Sequence, residues 1–351
     1  LSRNNRIRIV SVMPPRGKIL DRNGMVLADN RPAFNVTALP EDIVDPADVA
    51  ARLEPLVEKP RTEIEGLIRK GKPRPYDPVV VARDIDFERV ARVEMELFRL
   101  SGVSIEAVPE REYPFGDLAC HVLGSIGEIS KKRLEERPDE GYTPGDIVGK
   151  SGVEAMCEGT LRGVKGKRVM EVDAKGQLVR VLEETDPLPG REVRLTIDKD
   201  LQAVARHSLG DRTGAVVAMI PETGEILVME STPGFDPNIF AGTLSEGQWR
   251  DIMENPLHPL QNRAIRGAYP PGSIYKVVVS LAAFASGILD PGARVYCPGS
   301  FSLGRVAFRC WRSEGHGSVD LVRAITESCD VYFYTLGRAL GVDEMAKEAD
   351  L

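Results

Sequence analysis

A chain of 351 residues that is 42% hydrophobic and 28% charged is globular in composition and long enough for two domains. Its formal charge of −7 and pI near 5.4 speak against a nucleic-acid partner, and the basic run from Arg162 to Arg168 reads as a solvated face. It contains no 18-residue apolar stretch able to cross a bilayer, no low-complexity tract, no short-period repeat and no coiled-coil heptad run.

Residues 1–40 read as a loop-rich start containing strands. Amphipathic helical segments follow at Glu41 to Arg69 and Phe87 to Leu100, with Val79-Val80-Val81-Ala82 between them as a short buried strand. A helix is expected near Val153 to Arg162 and a hairpin around Asp173-Ala174-Lys175-Gly176. Asp186-Pro187-Leu188-Pro189-Gly190 is the best linker. Beyond it Glu192 to Ile197 alternates as a strand does, and Asp198 is placed to cap a helix holding Leu201 to Leu209. Gly214 to Ile220 and Glu225 to Met229, joined by Pro221-Glu222-Thr223-Gly224, predict a hairpin of two buried strands with helices packed on the sheet that begins there. The expected fold is α+β in two domains, 1–189 with an insertion at about 41–110, and 190–351.

Chemistry concentrates at Ser273-Ile274-Tyr275-Lys276 and at Ser328-Cys329-Asp330. Tyr269-Pro270-Pro271-Gly272 cannot continue a helix, whereas Ile274 to Ser286 is an apolar run of helical length without Gly or Pro, so Ser273 is expected at a helix N-terminus. Orphan N–H groups there favour the oxyanion formed when a carbonyl is attacked. A serine hydroxyl is a weak nucleophile until a neighbour takes its proton, and Lys276 follows one helical turn later on the same face. Burial beside Val277 to Val279 would favour the neutral amine that this role needs. Four further residues bracket these elements. Cys297, Cys310, His316 and Cys329, with 12, 5 and 12 residues between them, would satisfy tetrahedral zinc as three thiolates and an imidazole, although the spacing is not that of a finger. The alternative is a Cys297–Cys310 disulfide, with His316 a turn residue and Cys329 a small buried apolar group. Cys120 and Cys157 read as core residues, and His121, His207 and His258 as structural or exposed.

A Ser-x-x-Lys tetrapeptide with a later Ser-x-Asn and a Lys-Thr-Gly strand marks β-lactamases and penicillin-binding proteins; here the middle element is Ser-Cys-Asp. Nearly the whole chain resembles the penicillin-binding protein 2 family, the elongation-type class B D,D-transpeptidases of rod-shaped bacteria. The resemblance is carried by Pro15-Arg16-Gly17-Lys18-Ile19-Leu20-Asp21-Arg22-Asn23-Gly24, Arg111-Glu112-Tyr113-Pro114 with His121-Val122-Leu123-Gly124, Gly149-Lys150-Ser151-Gly152-Val153-Glu154, Asp173-Ala174-Lys175-Gly176, Phe235-Asp236-Pro237-Asn238 and Asn262-Arg263-Ala264-Ile265. Ser-x-Asp, with Gly315-His316-Gly317 upstream, favours the elongation enzyme over its septal relative.

The resemblance implies an N-terminal non-catalytic pedestal with a helical insertion, followed by the first part of a serine transpeptidase domain of β-lactamase-like fold. It implies that Ser273 attacks the penultimate D-alanine carbonyl of a D-Ala-D-Ala stem peptide, that Lys276 takes the hydroxyl proton and that Ser328 relays a proton to the leaving amine. Asp330 would hold Lys276 or the substrate amide; its charge would also raise the lysine's pKa, which opposes the general-base role, and the sequence leaves this open. β-Lactams would acylate Ser273. Relatives can carry zinc where Cys297, Cys310, His316 and Cys329 fall, two family carboxylates being thiols here, and the metal would be structural; no organic cofactor is implied. Implied partners are a SEDS-type glycosyltransferase and rod-complex scaffold proteins. A single-pass anchor in the bacterial inner membrane would hold this region in the periplasm, Leu1 to Arg6 resembling the exit from that helix. With no Lys-[Ser/Thr]-Gly strand after Asp330, the chain reads as a fragment whose own activity is impaired. The competing readings are a catalytically retired β-lactam sensor or scaffold, and a D,D-carboxypeptidase.

Overall fold

The computed structural model describes residues 6–72, 78–172, 178–242 and 246–350. Two compact units emerge, Leu1–Gly267 and Ala268–Leu351, each mixing helices and sheets as an α+β chain does. No helix among the described residues is long and apolar enough to cross a membrane.

In the first unit the chain passes through β1 (Arg6–Val12) and β2 (Ile19–Leu20) into the long strand β3 (Val26–Ala38). The insertion follows as α1 (Pro46–Val57), α2 (Arg61–Gly71), β4 (Val79–Ala82) and α3 (Phe87–Glu96). It returns as β5 (Val103–Glu112), which pairs antiparallel with β3 from Ala38↔Val103 to Asp29↔Glu112 without a break. Local chemistry explains these boundaries. Asp45 accepts from the N–H groups of Ala47 and Asp48 to start α1, Pro60 separates it from α2, and Asp86 accepts from Arg89 N–H to start α3. The single helical segment expected over Glu41 to Arg69 is therefore two helices. The apolar faces of α1, α2 and α3, with Leu53, Ile64, Ile68 and Val93, close with Val81 over Val36 and Ala38 of β3.

β1 pairs with Gly166–Val172, which pairs in turn with Leu178–Thr185. These two strands flank the hairpin expected at Asp173 to Gly176, whose turn lies outside the described residues. The helix expected near Val153 to Arg162 is two short ones, Gly152–Met156 and Glu158–Leu161. Their reason for being here is electrostatic. Fully buried Glu154 accepts from Arg16 Nε at 2.6 Å, Arg111 Nε at 2.7 Å and the Tyr113 hydroxyl at 3.2 Å. Arg16 also reaches Glu158 at 2.5 Å, and Glu158 takes the Gly149 N–H at 2.8 Å. Burial opposes ionisation of Glu158, but Arg16 and the donors from Gly149 and Tyr142 hold its carboxyl below the usual range. Three sequence blocks far apart in the chain thus meet around two carboxylates.

After the linker, the strand expected over Glu192 to Ile197 shrinks to Val193–Arg194, paired in parallel with β2. Asp198 caps helix Lys199–Leu209 by accepting from Asp200 and Leu201 N–H. The hairpin Gly214–Met219/Ile226–Thr232 forms, but its first strand is not buried: Val217 is 49% and Met219 54% exposed. One turn later, Asn238 pairs with the backbone of Tyr113 from both ends of its amide, Oδ1 accepting from Tyr113 N–H at 2.8 Å and Nδ2 donating to the Tyr113 carbonyl at 3.0 Å.

Glu230 lies on the second hairpin strand, 2% exposed. Gln202 Nε2 donates to its Oε2 at 2.5 Å, while Oε1 is buried without a hydrogen-bond partner among the described residues, 3.7 Å from Arg206 Nε. Burial pushes this carboxyl up to about 7, against Gln202 and Arg206; Asp117 adds to the rise, and Cys120 also faces the group. The folded state therefore keeps a proton that the unfolded chain releases near the ordinary carboxylate range, so stability from this group is full below that range and falls as pH rises toward 7. The loss is about 3 kcal/mol. Glu230→Gln should flatten the stability profile between about pH 4.5 and pH 7 in denaturant titrations; equal slopes for the two proteins would contradict the assignment.

The second unit packs helix Tyr275–Ala285 against Asp330–Leu340 and Val342–Ala349. Ala282, Ala283, Val319, Ala324, Tyr332 and Leu336 are its core. Two small strand pairs complete it, Val295–Cys297 with Gly317–Val319 and Ser300–Leu303 with Val306–Arg309.

Candidate active site and thiol cluster

Pro270 and Pro271 admit no earlier helix, and Ser273 stands exposed in the 3-10 turn Gly272–Ile274 that runs directly into helix Tyr275–Ala285. Lys276, one turn on, is half-buried, its Nζ 5.7 Å from the centroid of the Phe333 ring. The apolar cover expected from Val277 to Val279 is partial, for Val279 is buried but Val277 is 51% exposed.

Ser328 joins helix Leu321–Thr326 to helix Asp330–Leu340 with φ +53°, a left-handed conformation uncommon outside glycine. Hydrogen bonds from Ser328 N–H to the Ile325 carbonyl and from Cys329 N–H to the Ala324 carbonyl hold that turn. Its effect is to present the carbonyl and hydroxyl of Ser328 to the same amine. Lys276 Nζ donates to Ser328 Oγ at 2.9 Å, to the Ser328 carbonyl at 2.9 Å and to Asp330 Oδ1 at 2.6 Å, so each of its three donors has an acceptor. Ser328 Oγ in turn donates to Ser273 Oγ at 3.0 Å. The four residues singled out in the sequence lie in one hydrogen-bonded chain, with Ser328 standing between the Ser273 hydroxyl and the Lys276 amine.

Asp330 Oδ2 accepts from Trp311 N–H at 3.0 Å, and the Trp311 indole donates to the Glu327 carbonyl at 2.9 Å. Trp311 and Glu327 are contacts that sequence reasoning missed. Only their adjacency to Cys310 and Ser328 hinted at them.

The sulfurs of Cys297, Cys310 and Cys329 and a ring nitrogen of His316 all lie within 4.8 Å of one another, and all four residues are buried. Backbone pairing creates this convergence: Cys297 sits opposite Gly317 in the ladder, and Cys310 N–H bonds the Gly299 carbonyl. The two segments approach so closely that a Cβ on Gly299 would stand 2.1 Å from the Ser313 carbonyl oxygen. No disulfide joins any of the five cysteines, so Cys297 and Cys310 are not paired with each other. Burial resists ionisation of Cys297, yet His316 and backbone N–H groups outweigh it and bring the thiol down to about 7. Cys329, buried beside Cys297 and Cys310, is pushed up to about 12. Elsewhere Cys120 is buried, and Cys157 is half-buried, packed against the core that holds Leu123 and Leu161. His121 bonds the Pro259 carbonyl at 2.8 Å, and His207 and His258 are exposed.

Comparisons with known proteins agree with this architecture. Residues 11–195 match the penicillin-binding protein dimerisation domain, and residues 214–350 the penicillin-binding protein transpeptidase domain. The chain is 37% identical over 347 residues to the peptidoglycan D,D-transpeptidase MrdA of Acinetobacter baumannii, covering 98% of this chain and 52% of that protein. Against MrdA of Escherichia coli it is 32% identical over 354 residues, covering 99% and 56%. The chain thus spans about half the length of these curated relatives. Among solved structures, penicillin-binding protein 2 of Helicobacter pylori in complex with MreC superposes with a TM-score of 0.81 at 30% identity, covering 99% of this chain and 65% of that one. With both family domains in order and the likeness running almost from end to end, the chain belongs to the penicillin-binding protein 2 family.

Proposed function

We propose that this chain carries the non-catalytic region, residues 1–189, and the nucleophile-bearing part, from residue 190, of a peptidoglycan D,D-transpeptidase that cross-links stem peptides during cell elongation. The observation that carries the reading is the chain of hydrogen bonds Ser273–Ser328–Lys276–Asp330. Ser273 Oγ attacks the penultimate D-alanine carbonyl, the peptide C–N bond breaks, and the terminal D-alanine leaves as an amine while an ester forms on Ser273. As they stand the hydrogen bonds run from Lys276 to Ser328 and from Ser328 to Ser273; with Lys276 neutral both turn over, the Ser273 hydroxyl donating to Ser328 Oγ and Ser328 to the amine, so that the hydroxyl proton passes to Lys276 and Ser328 returns one to the leaving nitrogen. A second stem peptide's amine then attacks the ester and frees Ser273. Asp330, fixed by Trp311 N–H, positions the lysine.

β-Lactams are the second substrate class. Labelled penicillin, followed by digestion and peptide mapping, should place the adduct on Ser273; an adduct elsewhere sinks the reading. Supplying an acceptor amine with a D-Ala-D-Ala donor should then give cross-linked rather than merely trimmed product.

The thiol cluster fits structural zinc, because three sulfurs and one imidazole nitrogen of four buried residues converge within 4.8 Å of one another, the donor set of a tetrahedral site. Zinc would tie the 297–316 segment to Cys329 and hold its chain neighbours Ser328 and Asp330 in place. Thiol-directed alkylation should leave Cys297, Cys310 and Cys329 protected until a chelator is added, and chelation should lower the melting temperature; immediate alkylation of protein purified without chelator contradicts the site. The partners that fit the family are rod-complex scaffold proteins, supported by the Helicobacter pylori complex with MreC, and a SEDS-type glycosyltransferase. We place the region in the periplasm, held by a single-pass anchor in the inner membrane.

A further inference from the structure

His316 has two ring nitrogens, and the thiols claim only one. Cys297 and Cys310 stand 3.6 and 3.5 Å from Nδ1, on the cluster side. Nε2 points the other way, where it is buried without a hydrogen-bond partner among the described residues. Another orphan lies opposite it: Glu327 Oε2, also buried and unpartnered, 3.9 Å from Nε2. Two buried polar atoms left unsatisfied cost free energy, and here they face each other.

The other contacts of Glu327 use its second oxygen and its backbone, and leave Oε2 facing the imidazole. Arg323 Nε holds Oε1 at 2.7 Å, one helical turn back, and the Glu327 carbonyl accepts the Trp311 indole N–H at 2.9 Å. The Trp311 ring meets the His316 ring edge-on, with centroids 5.3 Å apart, so the imidazole is walled on that side.

From this arrangement, and resting on the zinc reading above, we infer that Glu327 is the positioning carboxylate of the metal site: it accepts the Nε2–H of His316, fixes the tautomer whose Nδ1 lone pair faces the thiols, and makes that nitrogen a stronger donor. An imidazole can ligate through Nδ1 only if its proton is on Nε2, and a carboxylate facing Nε2 favours that form. Glu327 immediately precedes Ser328, so the same residue links the cluster to the proton path.

The test is zinc affinity by competition with a chelator of known strength, together with the visible spectrum of the cobalt-substituted protein, on the full chain. Glu327→Ala should bind zinc roughly 10- to 100-fold more weakly and shift the cobalt d–d bands, and the isosteric Glu327→Gln should show the lower end of that loss. Arg323→Ala, which removes the outer ion pair but leaves the carboxylate beside His316, should stay within about threefold of the parent, short of the loss expected for a positioning group. Parent-like affinity and spectrum in both Glu327 variants overturn the inference while the zinc site stands. Failure of the parent itself to bind zinc overturns the zinc reading instead.

Discussion

Ser273→Ala is expected to abolish covalent labelling by penicillin, and Ser328→Ala to slow acylation by about 10²- to 10⁴-fold, the usual worth of a positioned proton-transfer group. The reason is the order of the hydrogen bonds. Lys276 reaches Ser273 by way of Ser328 Oγ, so in the proposed mechanism that hydroxyl is a link in the path rather than an accessory beside it. Lys276→Ala should cost as much, and Lys276→Arg should not rescue it, because a guanidinium keeps the charge but cannot give up a proton at any working pH. The sharper expectation concerns the double variant. If Ser328 and Lys276 act in series, Ser328→Ala/Lys276→Ala should acylate no more slowly than the worse single variant. Rapid-mixing measurements with a fluorescent penicillin on the complete enzyme give these rates; losses that multiply would mean the two residues act independently and would falsify the relay.

Glu154→Ala should destabilise the first unit by about 3–5 kcal/mol, a large fraction of the 5–15 kcal/mol that a domain commonly has. Removing this carboxylate takes from Arg111 its ion-pair partner in the interior and leaves Arg16 with Glu158 alone. The cost arises from stranded charge rather than from lost packing. A triple change that also replaces Arg16 and Arg111 by apolar side chains should therefore recover part of the loss. Thermal unfolding should shift down by about 10 °C in Glu154→Ala. A shift under about 2 °C would show that water or a neighbouring carboxylate takes over, and that the network is not what holds the three sequence blocks together.

Much of this fold was legible because the relevant signals were local. Helix starts at Asp45, Asp86 and Asp198 carry capping side chains, the apolar positions of α1, α2 and α3 recur at helical spacing, and Val79–Ala82 is a compact β-branched run. What was not legible depended on distant partners. Nothing around Glu154 in the sequence announces that Arg16 and Arg111 will reach it, and the strand expected over Glu192 to Ile197 is cut to two residues because β2, its partner, is only two residues long. The exposed faces of Val217 and Met219 read as buried for a similar reason: apolar character says what a residue prefers, not what lies beside it. At the site, motif spacing named Ser273, Lys276, Ser328 and Asp330, but not the order in which they touch. That order comes from the left-handed turn at Ser328, which is a property of backbone geometry between two helices and leaves no mark in composition.

The double bond between the Asn238 amide and the Tyr113 backbone makes a side chain imitate a neighbouring strand at the end of β5. Its mechanical meaning is that the family boundary is not a seam. Tyr113 belongs to the span matched by the dimerisation domain and Asn238 to the span matched by the transpeptidase domain, yet both lie in one compact unit. A piece excised at residue 214 would carry Asn238 away from both of its Tyr113 partners, keeping only its own bond to Asp236, and leave a frayed strand end behind, so dissection by homology would cut through a working joint.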